Sequence, residues 1–168
     1  VTEGLRERFG PERVFDTPAS EAGIAGVALG MALAGFLPVI EMQFAAYSYP
    51  ALEQIIDHVA KYRLRTKGTV GLPLVIRMPV GGGNRGKEHH AESPETIFVH
   101  TAGLKVVSPS GPLEAYELLA QAIRDPDPVV FLEPIRLYRE SETGELGTSH
   151  LPMHQAQLVR DGTDLTFV

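Results

Sequence analysis

An acid at the head of an uncharged helix is the first place in this sequence where chemistry can be read. In Asp16-Thr17-Pro18-Ala19-Ser20-Glu21-Ala22-Gly23, Pro18 disfavours helix at Thr17, Ser20 is a good N-cap, and Glu21 becomes the first helical residue, beside the positive end of the helix dipole. The stretch that follows, to Gly35, contains Gly23, Gly26, Gly30, Ala25, Ala28, Ala32 and Ala34 and no charge. That composition predicts a helix buried on every side and open to close approach by another backbone or a flat ligand. On its own, a first-turn acid is most simply a solvated residue favoured by the dipole. Its company decides whether it does more.

Three other stretches carry suitable side chains. Gly81-Gly82-Gly83-Asn84-Arg85-Gly86 satisfies GxGxxG after a strand, yet Lys87-Glu88-His89-His90-Ala91-Glu92-Ser93-Pro94 does not open a long helix and no P-loop Gly-Lys-Ser/Thr follows, so a flexible active-site loop is the better reading. His89 and His90 lie in that loop between Glu88 and Glu92. Adjacent residues cannot both face one metal from a regular element, and His-x-x-x-His spacing is absent. The pair is therefore either exposed polar loop or contains one imidazole acting as a hydrogen-bonding or acid-base group. Gln43-Phe44-Ala45-Ala46-Tyr47-Ser48-Tyr49-Pro50 joins a strand end to a helix start, and its aromatics serve either as core or as a wall for a heterocycle. Neither Ser20 nor Ser48 lies in Gly-x-Ser-x-Gly, which leaves hydrolase chemistry without support.

The elements that must position these groups follow from the hydrophobic pattern. Residues 2 to 13 read as a short polar helix stopped by Gly10-Pro11, and Val14-Phe15 as a short strand. Leu37 to Met42 is unpatterned and apolar, the mark of a strand covered on both faces; Leu74 to Met78, Leu104 to Val107 and Val129 to Leu132 read as further buried strands. Pro50 to Lys67 and Leu113 to Ile123 read as amphipathic helices, residues 139 to 153 as loop, and 155 to 168 as a hairpin. Strands alternating with helices predict an α/β, doubly wound, mainly parallel sheet with helices on both faces and ligands at the carboxyl ends of its strands. One main unit over residues 1–150, with 151–168 as linker and start of a further domain, is the expected division. The 168 residues, 43% hydrophobic and 21% charged, bury a real core; the formal charge of −6 argues against nucleic acid, no run is long enough for a membrane helix, and the absence of cysteine excludes disulfides and thiolate chemistry.

Taken in order and spacing, Asp16-Thr-Pro-Ala-Ser-Glu-Ala-Gly, Pro38-Val-Ile-Glu-Met-Gln-Phe, Arg77-Met-Pro-Val-Gly-Gly-Gly, His90-Ala-Glu-Ser-Pro-Glu, Lys105-Val-Val-Ser-Pro and Pro128-Val-Val-Phe-Leu-Glu-Pro resemble the β subunit of the thiamine-diphosphate-dependent decarboxylating component of 2-oxo acid dehydrogenase complexes. The resemblance covers residues 2 to 138, that subunit's pyrimidine-binding domain; the family's first strand and helix and its C-terminal domain have no counterpart. It implies that Glu21 hydrogen-bonds the ring nitrogen of the cofactor's aminopyrimidine. That bond favours the imino form of the exocyclic amine, which then takes a proton from the thiazolium carbon. Burial would raise the carboxyl's pKa and help it share that proton, against the dipole. The resemblance further implies that Gln43 and Tyr47 line the aminopyrimidine and that His90, rather than His89, is the active-site histidine, orienting the 2-oxo acid and assisting acyl transfer to lipoamide.

This chain has no Gly-Asp-Gly followed by an Asn pair, so the resemblance assigns the diphosphate and its Mg²⁺ to an α subunit in an α2β2 assembly, with a lipoyl-bearing dihydrolipoyl acyltransferase as the acceptor of the acyl group. The family can also hold a structural potassium ion through carbonyls near Ala122, Asp125 and Asp127. Ala46 stands where relatives often carry Asp, and Ala19 where they carry Leu or Ile. The compartment implied is a bacterial cytoplasm or a mitochondrial matrix, the former preferred. Two rivals stay open at this point: the pyrimidine domain of a transketolase-like or deoxyxylulose-phosphate synthase-like enzyme, and a non-catalytic α/β scaffold in which Glu21 only serves its helix.

Overall fold

Four short strands form one parallel sheet in the order β1-β2-β4-β3 in the computed structural model, which describes residues 2–83, 86–147, 152–156 and 158–167. The strands are β1 (Val39–Glu41), β2 (Val75–Val80), β3 (Lys105–Val107) and β4 (Val129–Pro134). All six residues of β2 are buried, as are the first five of β4, which is why these segments read as near-continuous apolar runs, interrupted only by Arg77 and Glu133. Alternate side chains feed two cores. Leu72, Leu74, Ile76, Met78, Val130 and Leu132 pack on one face with α2 (Glu21–Leu33) and residues 45–59. Val75, Val129 and Phe131 pack on the other with α5 (Pro112–Arg124). The expected α/β sheet covered by helices on both faces is therefore present.

Several local expectations are corrected. Val14-Phe15 forms no strand, and no strand is found among the described residues from 152 onward, so the expected hairpin at 155–168 is absent there. β1 lies at the sheet edge with Val39 and Glu41 exposed, so it is covered on one side only, contrary to the reading of its apolar run. The helix expected over Pro50–Lys67 is broken into a 3-10 helix (Ala45–Ala51), a π-helical stretch (Glu53–Val59) and a short α3 (Tyr62–Arg65). Pro50, expected as the first helical residue, instead lies inside the first piece, which begins five residues earlier. The short α1 (Leu5–Phe9) and α4 (Glu95–Val99) complete the helices.

The uncharged helix α2 differs most from its expected burial. Only Ala25, Ala28 and Ala32 are buried, one side chain per turn, while Val27 remains 63% exposed. The opposite stripe, Ser20, Gly23, Ile24, Val27 and Met31, lines an open groove of about 280 Å³ with Phe15, Pro18 and Ile40. The helix ends two residues before the expected Gly35, in a Schellman arrangement. Gly35, at φ 92, donates to the Ala32 carbonyl at 3.1 Å, and Phe36 donates to Met31 at 3.1 Å.

Candidate functional site

Ser20 occupies the N-cap position of α2 and Glu21 its first helical residue, as the sequence requires. The Ser20 side chain makes no capping hydrogen bond. Its carbonyl accepts from Ile24 at 2.8 Å, and its Oγ lies where a Cβ on Gly23 would approach to 3.2 Å. Glu21 is in helical phase with the buried Ala25, Ala28 and Ala32, so its side chain starts from the inward stripe. It is half-buried, and its carboxyl forms no hydrogen bond or ion pair among the described residues.

α2 packs against the 3-10 helix Ala45–Ala51, which leaves the carboxyl end of β1 and carries Tyr47. Buried Ala45, Ala46, Ser48 and Ala51 form its inner side, and the Ser48 hydroxyl donates to the Ala45 carbonyl at 2.5 Å. Small residues here allow close approach to a helix built from alanine and glycine. Ala46 is among them and is wholly enclosed, which accounts for a small apolar side chain at that position. Gln43 sits exposed just before, and Phe44 and Tyr47 are half-buried.

The loop after β2 turns back onto these aromatics. His90 is half-buried whereas His89 is exposed. Tyr47 Oη and His90 Nε2 lie 3.3 Å apart, and the Phe44 ring meets the imidazole edge-on with centroids 4.8 Å apart. His90 Nδ1 is 2.7 Å from the Glu88 carbonyl. A carbonyl only accepts, so Nδ1 carries the hydrogen; in the neutral ring Nε2 is then the acceptor and Tyr47 the donor. His89 stacks over Tyr47 with centroids 6.0 Å apart and an 18° interplanar angle. The two adjacent histidines thus take different roles, which their sequence alone left open. Asn84 and Arg85 of the glycine-rich stretch lie outside the described residues, and the next helix, α4, has only five residues, so this loop opens no dinucleotide-binding helix.

Tyr47 and His90 are brought into contact; Glu21 and Gln43 are on adjoining elements but hydrogen-bond to neither. Sequence reasoning missed Tyr49 and Glu92, joined by a hydrogen bond from Tyr49 Oη to Glu92 Oε2 at 3.0 Å. Burial and the neighbouring Glu92 carboxylate push the Tyr49 hydroxyl above the usual phenol range. A local signal was present only as the identical spacing of two acceptors and two tyrosines.

At the opposite end of the sheet, the suggested cation position is already rich in positive charge. Lys105 Nζ lies 2.7 Å from both carboxylate oxygens of Asp125, and Arg63 Nε donates to Asp127. The Asp125 amide donates to the Ala122 carbonyl at 3.2 Å. With both acids paired, an ion there would have backbone carbonyls as its ligands. Among the described residues no group of three or more His, Asp or Glu is arranged to hold a metal, and no helix is long and apolar enough to cross a membrane. A cavity of about 780 Å³ between the end of β3 and the start of α5 contains none of the candidate residues.

Comparison with known proteins gives a consistent set of relatives. A family described as transketolase, pyrimidine binding domain, matches residues 1–141. The 3-methyl-2-oxobutanoate dehydrogenase subunit beta of Mycobacterium tuberculosis is 51% identical over 168 residues, which are 100% of this chain and 48% of that protein. The pyruvate dehydrogenase E1 component subunit beta of Leifsonia xyli is 48% identical over 100% of this chain and 50% of its own length; the 2-oxoisovalerate dehydrogenase subunit beta of Bacillus subtilis is 46% identical over 100% of this chain and 52% of its own. The chain spans about half the length of the curated relatives it matches. Among solved structures, one titled split gene transketolase, inactive beta4 tetramer, aligns with a TM-score of 0.63 at 20% identity, covering 78% of this chain and 40% of that one, a likeness of fold.

Proposed function

Given that the chain belongs to the transketolase pyrimidine-binding domain family, we propose that it is the pyrimidine-holding part of the β subunit of a 2-oxo acid dehydrogenase, which decarboxylates a 2-oxo acid with thiamine diphosphate and passes the acyl group to lipoamide. The names of its relatives support the substrate class. The observation that carries the reading is the state of Glu21, a half-buried acid at the first position of α2 whose carboxyl has no partner among the described residues.

That state fits an aminopyrimidine. A carboxyl already engaged in an ion pair would have to give that bond up, whereas Glu21 is available to hold or share a proton at a ring nitrogen. Tyr47 offers a half-buried aromatic wall and Gln43 an amide on the adjoining segment. Thiamine diphosphate supplies, when bound, the nucleophilic carbon and the electron sink that decarboxylation requires. His90 takes the role of orienting the 2-oxo acid and moving a proton at Nε2 during acyl transfer, with its tautomer set by the Glu88 carbonyl and its ring edge held by Phe44.

The diphosphate and Mg²⁺ fall to an α subunit, because this sequence carries no Gly-Asp-Gly followed by an Asn pair. An α2β2 assembly and a lipoyl-bearing dihydrolipoyl acyltransferase complete the reading. A structural potassium ion near Ala122, Asp125 and Asp127 would rest on backbone carbonyls. Residues 1–150 are the pyrimidine-binding unit in this scheme, and 151–168 lead toward a further domain.

The test is Glu21→Ala in the full-length β subunit reassembled with its α subunit and thiamine diphosphate. Decarboxylation should fall at least about 100-fold, the scale of a lost acid-base group, with assembly by size-exclusion chromatography unchanged. Turnover equal to the parent's would overturn the assignment. Running pyruvate and 3-methyl-2-oxobutanoate in parallel on the parent assembly identifies the preferred acid.

A further inference from the structure

We propose that Tyr49 and Glu92 are positioning residues for His90, forming with Tyr47 a two-rung latch that holds the histidine loop against the 45–51 helix. The proposal rests on the functional reading above for what His90 does, and on geometry alone for how it is held.

The rungs are parallel in sequence and in space. Tyr47 meets His90 at 3.3 Å and Tyr49 meets Glu92 at 3.0 Å, both across 43 residues, so two tyrosines spaced by two grip two loop residues spaced by two. The loop needs such a grip. Glu88 at φ 50 and His89 at φ 66 both occupy the left-handed region that non-glycine residues avoid, and such backbone persists only where surrounding contacts hold it. The His90 Nδ1 bond to the Glu88 carbonyl depends on that conformation. At the loop's base the Gly81 amide donates to the Glu92 carbonyl at 3.3 Å, so Glu92 is fastened through its backbone as well as its side chain.

The rungs differ in what they do. The first touches the imidazole itself. The second touches only the carboxylate two residues on and bears on the histidine through the chain between. A phenol donating to a carboxylate is also the stronger type of bond, and it stays made whichever way the imidazole is protonated. Removing it leaves the strained turn held by the Tyr47 and Phe44 contacts and the Gly81–Glu92 backbone bond. His90 should then sample outward positions more often.

The experiment is site-resolved carbethoxylation of His90 by diethylpyrocarbonate, followed by mass spectrometry. It uses the full-length β subunit in its α/β assembly: parent, Tyr49→Phe, Glu92→Ala and Glu92→Gln. Tyr49→Phe and Glu92→Ala should each speed His90 labelling about five-fold, the population change expected for one ordinary hydrogen bond. The pair combined should give no more than either alone, and Glu92→Gln, which keeps an acceptor for Tyr49, should restore most of the parent's rate. Equal labelling in all variants overturns the latch. So do fully additive effects. Labelling needs no turnover, so it judges the latch even if Glu21→Ala leaves turnover unchanged and so overturns the functional reading. In the same variants, acyl transfer to a lipoyl domain should fall in proportion to His90 exposure; unchanged transfer despite faster labelling overturns the positioning role.

Discussion

Replacing Arg77 by methionine removes the charge that holds three strands together at one end of the sheet. Arg77 sits in β2 with its side chain 7% exposed, donating Nε to Glu133 Oε1 of β4 at 2.6 Å and approaching Glu41 Oε2 of β1 at 3.5 Å. Glu133, at 10% exposed, has its other oxygen occupied by the Tyr138 hydroxyl at 2.6 Å. Without the guanidinium, Glu41 turns to water, since it is already 42% exposed, but Glu133 keeps only a neutral donor for a buried carboxylate. Breaking a buried pair from one side costs about 3–5 kcal/mol, and the surviving Tyr138 bond places this case near about 3. The curated relatives are about twice as long as this chain, so in a full-length subunit each kcal/mol moves the melting temperature about 1–2 °C, and Arg77→Met should melt about 3–6 °C below the parent. The double variant Arg77→Met, Glu133→Leu should recover most of that loss. An apolar pair often replaces a buried ion pair at little cost, and Tyr138, 46% exposed, can take its hydrogen bond from water. Thermal unfolding followed by circular dichroism on the full-length subunit measures both. A single variant within about 2 °C of the parent, or a double variant no more stable than the single, would refute the reasoning.

Two further expectations concern stability. Gly103 has φ +101, and a Cβ there would lie 1.9 Å from the Ala60 carbonyl oxygen, so Gly103→Ala meets a left-handed penalty and a backbone clash at once. It should lose more than about 3 kcal/mol by urea unfolding, and a loss under about 0.5 kcal/mol would contradict the close approach. Tyr138 titrates well above the usual phenol range because of burial and then its Glu133 partner. The folded chain therefore keeps this proton after the unfolded chain releases it, and its contribution to stability is present below about pH 10 and lost as pH rises above that. Tyr138→Phe should accordingly unfold at a less pH-dependent urea midpoint between about pH 9 and 11 than the parent; equal slopes would show that Tyr138 is not the group.

Much of this was legible because it is local. Ser20 and Glu21 mark the start of α2 through rules that operate within one turn, and β2 announces its burial by six consecutive apolar or pairing residues around Arg77. What was not legible depends on neighbours. α2 is apolar all round, so its composition could not say that the Ala25-Ala28-Ala32 stripe is covered by its own chain while Val27 faces outward. The apolar run of β1 likewise gave no warning of an edge position, and the apolar periodicity over Pro50–Lys67 did not show that the segment divides into 3-10, π and α pieces.

The histidine site follows from one such long-range fact, the adjacency of β1 and β2. Alternating strands and helices fit several sheet orders, and nothing in the residues singles out this one. Once Glu41 pairs with Arg77 in parallel register, the chain leaving β1 and the chain leaving β2 must emerge side by side at the same edge. The first carries Tyr47 and Tyr49 on a 3-10 helix, the second His90 and Glu92 on a glycine-led loop. Their meeting is a consequence of strand order rather than of either motif. That is why the glycine-rich stretch imitates a dinucleotide loop when read alone: the glycines after β2 give the chain a turn, with Gly81 at φ 84, and the loop that follows brings an imidazole to a neighbouring aromatic.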